Sequence, residues 1–413
     1  MKILFVQHRD FINGSGGTEK ICSFLANGLS DLGHTVEIAT NQNIEGKPIF
    51  YLNPSIKITN IFTSDVVQKR VHIFQKYNGK NPFLWIQHKI KKKYLKLLNK
   101  FLYYKIGGSD GLFQFNLTRR SEAWKNYINS AKPDLIITMS IGSLLEISYG
   151  NEYVVPIINS TNGRPDYDYS DILWYRSDKE MALLKESYKK LSGIQVLFDT
   201  YNNFLPKEFQ GKCITIPNPV PQIKEEQIVN HLNKKDRYKI INIASLAVDC
   251  KQQDVAIAIF SRLARKYPDW DLYFWGVGED YNLLNNQIEK AGLKDRIFLK
   301  GFTDEPLEQL KDSDIFIFPS KYEGFGLALA EAMSLGLPTL GFASCSGVNE
   351  LIKHNENGFL VQDVEDLKNY LEKLMSDSKL RSELGKSAHL EMVKYSPEKN
   401  MKKWSLFLKE FVL

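Results

Sequence analysis

The chain has 413 residues, 43% hydrophobic and 25% charged, which excludes disorder and is too long for one ordinary core, so two domains of roughly 200 residues each are expected. Four scattered cysteines (Cys22, Cys213, Cys250, Cys345) show neither CxxC nor Cys/His ligand spacing, which argues against a disulfide framework or a structural zinc and fits a reducing compartment. The net charge of +6 is modest but uneven, because residues 1–200 hold 26 basic against 18 acidic side chains.

Lys2-Ile-Leu-Phe-Val6 reads as a buried strand. It leads through Asn13-Gly-Ser-Gly-Gly-Thr18 into a helix with periodic apolar residues (Ile21, Phe24, Leu25, Leu29, Leu32) that stops at Gly33, and Val36-Glu-Ile-Ala39 is the next strand. A βαβ opening with a glycine-rich first turn belongs to doubly wound α/β folds. The turn lacks GxGxxG spacing and no acidic residue closes the following strand, so nicotinamide cofactors are disfavoured. Gly16 and Gly17 leave the backbone bare where an anion can approach a helix N-terminus; a plain structural turn is the competing reading.

Ile86, Ile90, Tyr94, Leu97, Phe101 and Tyr104 then recur at helical spacing, with Lys89, Lys92, Lys93, Lys96 and Lys100 on another side. Two readings of 86–105 stand: a helix packed on the domain core with a solvated charged face, or one adsorbed to an anionic membrane surface. Nucleic acid ranks below both, since no aromatic–basic RNA motif is present. No apolar run approaches the ~20 residues that span a bilayer, and Met1 to Val6 is too short for a signal-peptide core. A cytoplasmic protein, touching the membrane from its inner face at most, is expected. Leu135-Ile-Ile-Thr138, Val154-Val-Pro-Ile-Ile158 and Ile194-Gln-Val-Leu-Phe198 are further strands.

A second α/β series begins at Tyr238. Strands at 238–244, 271–275, 297–299, 315–318 and 339–341 alternate with helices at 253–267, 283–291, 327–335 and 363–375. The stretch Ile214-Thr-Ile-Pro-Asn-Pro-Val-Pro221, followed by polar residues to Lys235, separates the two series. The expected domains are 1–212 and 213–395, with the tail 396–413 crossing back onto the first.

The most informative segment is Glu323-Gly-Phe-Gly-Leu-Ala-Leu-Ala-Glu331, after the strand Ile315-Phe-Ile-Phe318 and its stop at Pro319-Ser320. Strand, glycine turn and helix N-terminus make an anion site, because unpaired N–H groups and the helix dipole both favour negative charge. Carboxylates on both sides of such a turn repel phosphate but accept hydrogen bonds from hydroxyls, so the ligand carries phosphate and polyol together, as a nucleotide sugar does. Two solvated helix-end glutamates are the bland alternative. Asp312-Ser-Asp314 has DxD spacing, but lies where a helix end feeds a buried strand, so its carboxylates are expected to cap and flank, not to bind metal.

With these residues in view the chain resembles the family-4 retaining glycosyltransferases (glycosyl transferases group 1) of the GT-B fold: two Rossmann-like, doubly wound α/β domains facing a central cleft. The resemblance rests on Glu323 and Glu331 at their spacing, Phe318-Pro-Ser320, Ile216-Pro-Asn218, Lys251, Gly276-Val-Gly278, Gly347-Val-Asn-Glu350 and Asn357-Gly-Phe359. In the first half it rests only on the opening strand and glycine loop.

The resemblance implies that Glu331 accepts the ribose hydroxyls and that Glu323 faces the transferred sugar. Gly324, Phe325, Gly326 and Leu327 would offer backbone to sugar and phosphate, with Gly276, Gly16 and Gly17 also on the donor, and Lys251 would neutralise the leaving diphosphate. Ser245 stands where relatives carry an arginine. A histidine that relatives carry after a mid-domain strand is absent, which leaves Asn162 or Arg164 for the acceptor side. The implied protein is a hexosyltransferase-type, retaining, metal-independent enzyme with no cofactor. Its donor would be a UDP- or GDP-linked sugar and its acceptor a saccharide or lipid-linked saccharide, in the assembly of a surface polysaccharide such as O-antigen, capsule or lipopolysaccharide. The rival is a non-catalytic GT-B-like subunit that binds a nucleotide sugar or scaffolds a membrane-associated complex.

Overall fold

A computed structural model describes every residue except 75, 76, 78, 174, 412 and 413. The chain divides into two compact units. One comprises Met1–Val196, Thr200–Ile214 and Phe407–Leu413; the other comprises Leu197–Asp199 and Thr215–Leu406. Of the tail expected on the first domain, only the part from Phe407 groups with that unit, and its last two residues lie outside the described residues. The reason is local: Trp404 is buried and the buried Asn400 donates to Pro217 O (2.6 Å), both with the second unit. The rings of Phe407 and Phe411, by contrast, lie on Gly193, where a Cβ would stand 3.0 and 2.5 Å from them.

The first unit carries seven strands: β1 (Lys2–Val6), β2 (Thr35–Thr40), β3 (Lys57–Asn60), β4 (Leu135–Thr138), β5 (Ile157–Ser160), β6 (Gly193–Val196) and β7 (Lys212–Thr215), in the sheet order 3-2-1-4-5-6-7. The pairs from β3 through β6 are parallel. Strands of such a sheet are covered on both faces and read as unbroken apolar runs; Ile3 to Val6 are accordingly fully buried. The second unit carries β8 (Tyr238–Ile243), β9 (Trp270–Trp275), β10 (Ile297–Leu299), β11 (Ile315–Phe318), β12 (Thr339–Phe342) and β13 (Phe359–Val361) in the order 10-9-8-11-12-13, again parallel throughout. In each unit the strand order reverses beside the first strand, between β1 and β4 and between β8 and β11. Ligands of open α/β sheets bind at the carboxyl ends of the strands flanking that reversal.

Two strands depart from the sequence reading. The strand expected at 154–158 begins at Ile157, because Pro156 has no N–H and gives the ladder only its carbonyl, to Ile136 N (3.1 Å), while Val154 is fully exposed. The strand expected at 194–198 is Gly193–Val196, and Phe198 leaves it to stack on Phe325. Edge strand β3 and the helices Gly108–Ala131 and Ser378–Met392 were not anticipated. The first has no apolar alternation, and Gly108–Ala131 opens on glycines that read as a breaker.

The basic segment is the helix Pro82–Ile106, capped by Asn81, whose side chain accepts from Phe83 N and Leu84 N. It has no buried residue. The stripe read from the sequence does not pack on a core: a different stripe, half-buried, meets the helix Gly108–Ala131. Among the described residues no helix is long and apolar enough to cross a membrane.

Candidate active site

Lys251 and Glu323 come together at the carboxyl ends of β8 and β11. Lys251 Nζ donates to Glu323 Oε1 at 2.6 Å, with side chains 19% and 11% exposed. Backbone contacts hold the two loops in register: Lys321 N donates to Cys250 O (2.8 Å), and the Cys250 thiol lies 3.6 Å from Tyr322 O. Lys251 ends a short helix (Val248–Lys251) whose first N–H, on Val248, is taken by Asp280 (2.8 Å). Burial works against the Lys251 ammonium, but the adjoining Glu323 carboxylate outweighs it and holds the lysine pKa above its ordinary value. Ser245 is exposed at the end of β8, its carbonyl bound by Gln253 Nε2 (2.8 Å).

The glycine turn follows directly. Ser346 Oγ donates to Glu323 O (3.2 Å), and Gly347, at φ +81°, presses on Gly324 so closely that a Cβ would stand 2.9 Å from its carbonyl oxygen. Phe325 is buried, stacked on Phe198 (5.3 Å) and edge-on to Tyr395 (5.7 Å), so its ring belongs to the core. Gly326, left-handed at φ +83°, caps the helix Leu327–Ser334 without a side chain. The first-turn N–H groups, beginning at Leu327, therefore have no side-chain cap. Glu331 lies one turn further on, buried. Gly276 is different: its N–H donates to Gly301 O (2.7 Å) and its missing Cβ makes room for Ala244 O, so that amide is not available to a ligand.

The far end of the same helix is pinned. His389 Nδ1 meets Ser334 O and His231 Nε2 meets Gly336 O, both at 2.8 Å, while Gly385 lies backbone to backbone on Gly336. Burial drives the His231 pKa down to about 4, so the imidazole is neutral and its Nε2–H donates. Neither histidine carries a local sequence signal; each stands alone in the chain.

In the first unit, Gly16 precedes the helix Gly17–Asp31. The anion position there is already filled. Glu19 accepts from Gln7 Nε2 (2.5 Å) and from the backbone of Gly16 and of its own residue, and its pKa is raised by burial. A Cβ on Gly16 would collide with Glu19 Oε2. That glycine therefore makes room for a carboxyl group of its own helix, which occupies the place where donor phosphate was expected to approach Gly16 and Gly17.

Asn162 Nδ2 donates to Met139 O (2.5 Å), tying the loop after β5 to the end of β4. Arg164 is held bidentately by Asp166 (2.7 and 2.9 Å) and lies over the rings of Phe204 and Tyr167. Sequence reasoning passed over His8, which follows β1 with Nδ1 2.9 Å from Ser143 Oγ. Burial first, then Arg9 and Arg120, drives its pKa down to about 3. Asp314 is buried, accepting from Lys239 N and paired with Lys235 (2.8 Å each), and Asp312 pairs with the Lys239 ammonium. Among the described residues no three His, Cys, Asp or Glu side chains converge as metal ligands.

Two parallel Rossmann-like sheets, with a cation–carboxylate pair and a glycine-led helix at the reversal of the second, define an α/β protein of the GT-B fold. Residues 223–391 match the family "Glycosyl transferases group 1". An uncharacterized glycosyltransferase of Haemophilus influenzae is 24% identical over 400 residues, 95% of this chain and 96% of that protein. The poly(glycerol-phosphate) alpha-glucosyltransferase of Bacillus subtilis is 26% identical over 229 residues, 55% of this chain but only 31% of that protein. Among solved structures, S. aureus TarM, in complex with Fondaparinux, alpha-GlcNAc-glycerol and UDP, superposes with a TM-score of 0.71 at 16% identity, covering 98% of each chain.

Proposed function

We propose that the protein is a retaining glycosyltransferase that moves a hexosyl group from a nucleoside-diphosphate sugar to an acceptor hydroxyl in the assembly of a bacterial surface polysaccharide. The observation that carries this is the Lys251–Glu323 pair at the strand reversal, followed at once by an uncapped helix N-terminus and the buried Glu331. Backbone N–H groups from Gly324 to Leu327 and the Lys251 ammonium meet the diphosphate, Glu331 accepts the ribose hydroxyls and Glu323 those of the sugar. The bond from the anomeric carbon to the diphosphate breaks, the acceptor oxygen bonds to the same face, and its proton passes to the leaving phosphate. Lys251 stabilises the charge that develops on that phosphate. The second unit holds the donor and the first the acceptor, with Asn162 and Arg164 on the acceptor side. The alpha linkages in the name of the Bacillus relative and in the alpha-GlcNAc-glycerol bound by TarM are those that a retaining enzyme makes from an alpha-linked donor, and the UDP of the latter supports a UDP sugar over GDP. The chain itself works without metal or cofactor, in the cytoplasm at the inner face of the membrane.

The test is release of UDP or GDP from a panel of nucleotide sugars, with and without saccharide acceptors, by the wild type and Glu323→Gln. Turnover that falls at least a hundredfold in the variant supports the reading. Donor binding without turnover by the wild type under all conditions supports the non-catalytic subunit instead.

A further inference from the structure

The helix Pro82–Ile106 presents three stripes. The first, His88, Leu95, Leu98, Leu102 and Ile106, is half-buried and faces the helix Gly108–Ala131. Asn99, beside it, exchanges two hydrogen bonds with the backbone of His72 (2.9 and 3.0 Å). The helix is thus anchored, and its other faces are set by that anchor.

The second stripe is Phe83, Ile86, Ile90, Tyr94, Leu97, Phe101 and Tyr104, each between 49% and 89% exposed. At 1.5 Å per residue it runs for about 30 Å. Successive residues at 100° put these seven within one narrow sector of the helix. The third stripe, Lys89, Lys92, Lys93, Lys96 and Lys100, lies immediately beside it, and all five are exposed. With Lys91 and Lys105 the helix carries seven lysines and no acidic residue. A continuous apolar stripe of this size left in water is itself unfavourable and marks an interaction surface.

Charge decides the occupant. A second copy of the same helix would bring seven like charges against seven, whereas an anionic lipid surface neutralises the lysines while its acyl boundary receives the apolar stripe. We infer that Pro82–Ile106 is an in-plane membrane anchor that docks the protein on an anionic bilayer. Phe83, Ile90, Leu97 and Phe101 enter the headgroup–acyl boundary and the lysine row lies along the headgroups. This rests on the proposed function only in giving a reason for such docking, an acceptor carried on lipid.

The experiment is co-sedimentation of the full chain with vesicles of phosphatidylcholine alone or with 30% phosphatidylglycerol (roughly physiological anionic content). Binding is expected only to the anionic vesicles and to weaken with added salt. At ~1 kcal/mol per lysine near the surface, K92Q/K93Q/K96Q loses about a hundredfold in partitioning. I90S/L97S/F101S also loses binding, while a single K91Q, on the far side of the apolar stripe, changes it less than tenfold. Circular dichroism and thermal melts of each variant establish that it folds. Wild-type protein that stays in the supernatant, or triple variants that pellet like wild type, overturn the inference. So does sedimentation velocity showing an oligomer that I90S/L97S/F101S dissolves, which assigns the stripe to a second copy. Nucleotide release from the donor panel, with and without saccharide acceptors, is read on the same samples. Vesicle binding without release counts against the proposed function and leaves the anchor standing, and release without vesicle binding does the reverse.

Discussion

Replacing Lys251 by Met separates what the Lys251–Glu323 pair does for the fold from what it does for the reaction. Unit charges about 4 Å apart attract by about 4 kcal/mol at the effective dielectric near a protein surface, and most of that offsets desolvation. Losing one partner leaves Glu323, only 11% exposed, without its cation. Breaking a fully buried pair costs about 3–5 kcal/mol, so this partly open one costs about 2–3 kcal/mol of stability. The raised lysine pKa sets the pH window: the contribution is complete below about pH 10.5, the unfolded value, and is lost only as pH rises through the higher folded value. At pH 7.5 the whole effect is visible in urea. Lys251→Met/Glu323→Gln removes both charges and regains most of that stability. Activity does not return with it, because the leaving diphosphate still lacks its cation and the sugar its carboxylate, and kcat/KM for donor turnover stays at least about 10²–10³ below wild type. A double variant that recovers stability and turnover together would refute the catalytic assignment and leave a purely structural ion pair.

Glu331→Gln is expected to weaken nucleotide binding in calorimetry by about 10–100-fold, the loss of a charge-assisted hydrogen bond to hydroxyl; unchanged affinity removes Glu331 from the ribose site. Gly347→Ala forces a Cβ to 2.9 Å from Gly324 O at φ +81°, and a loss of about 1–3 kcal/mol in urea unfolding is expected, with donor affinity falling too. His231 has a depressed native pKa of about 4, so the unfolded chain binds its proton first as pH falls; the stability is complete above pH 6.5 and is lost toward pH 4. Between pH 7.5 and 5 this amounts to about 2 kcal/mol, and His231→Gln should flatten the urea midpoint over that range by that much.

What the sequence made legible was local. Glu323, the glycines and Glu331 sit within nine residues, and strand, turn and helix follow from their own composition. Lys251 was legible only by likeness to relatives, because its partner lies 72 positions away. The apolar runs marked most strands of both sheets, since parallel strands are buried on both faces. Polar β3 at an edge escaped, and so did the shift of β5 past Pro156. Glu19 was missed as the occupant of its own helix N-terminus because a glutamate three residues after a glycine reads as helix propensity. The stripe on Pro82–Ile106 was visible as periodicity, but periodicity does not say which of two faces is covered. His231 and His389 were invisible, because each acts on a carbonyl far away in sequence.

Those two histidines have a consequence for how the donor is met. The helix Leu327–Ser334 is clamped at its carboxyl end by His389, His231 and the contact of Gly385 with Gly336. Its other end, where Gly326 and the first N–H groups stand, is held by the buried Phe325 and by Gly347 against Gly324, so the helix is fixed at both ends. The entropy of ordering that segment is then settled during folding, before any nucleotide arrives. Affinity for the donor should therefore respond to substitutions at the carboxyl end, at residues that never touch it.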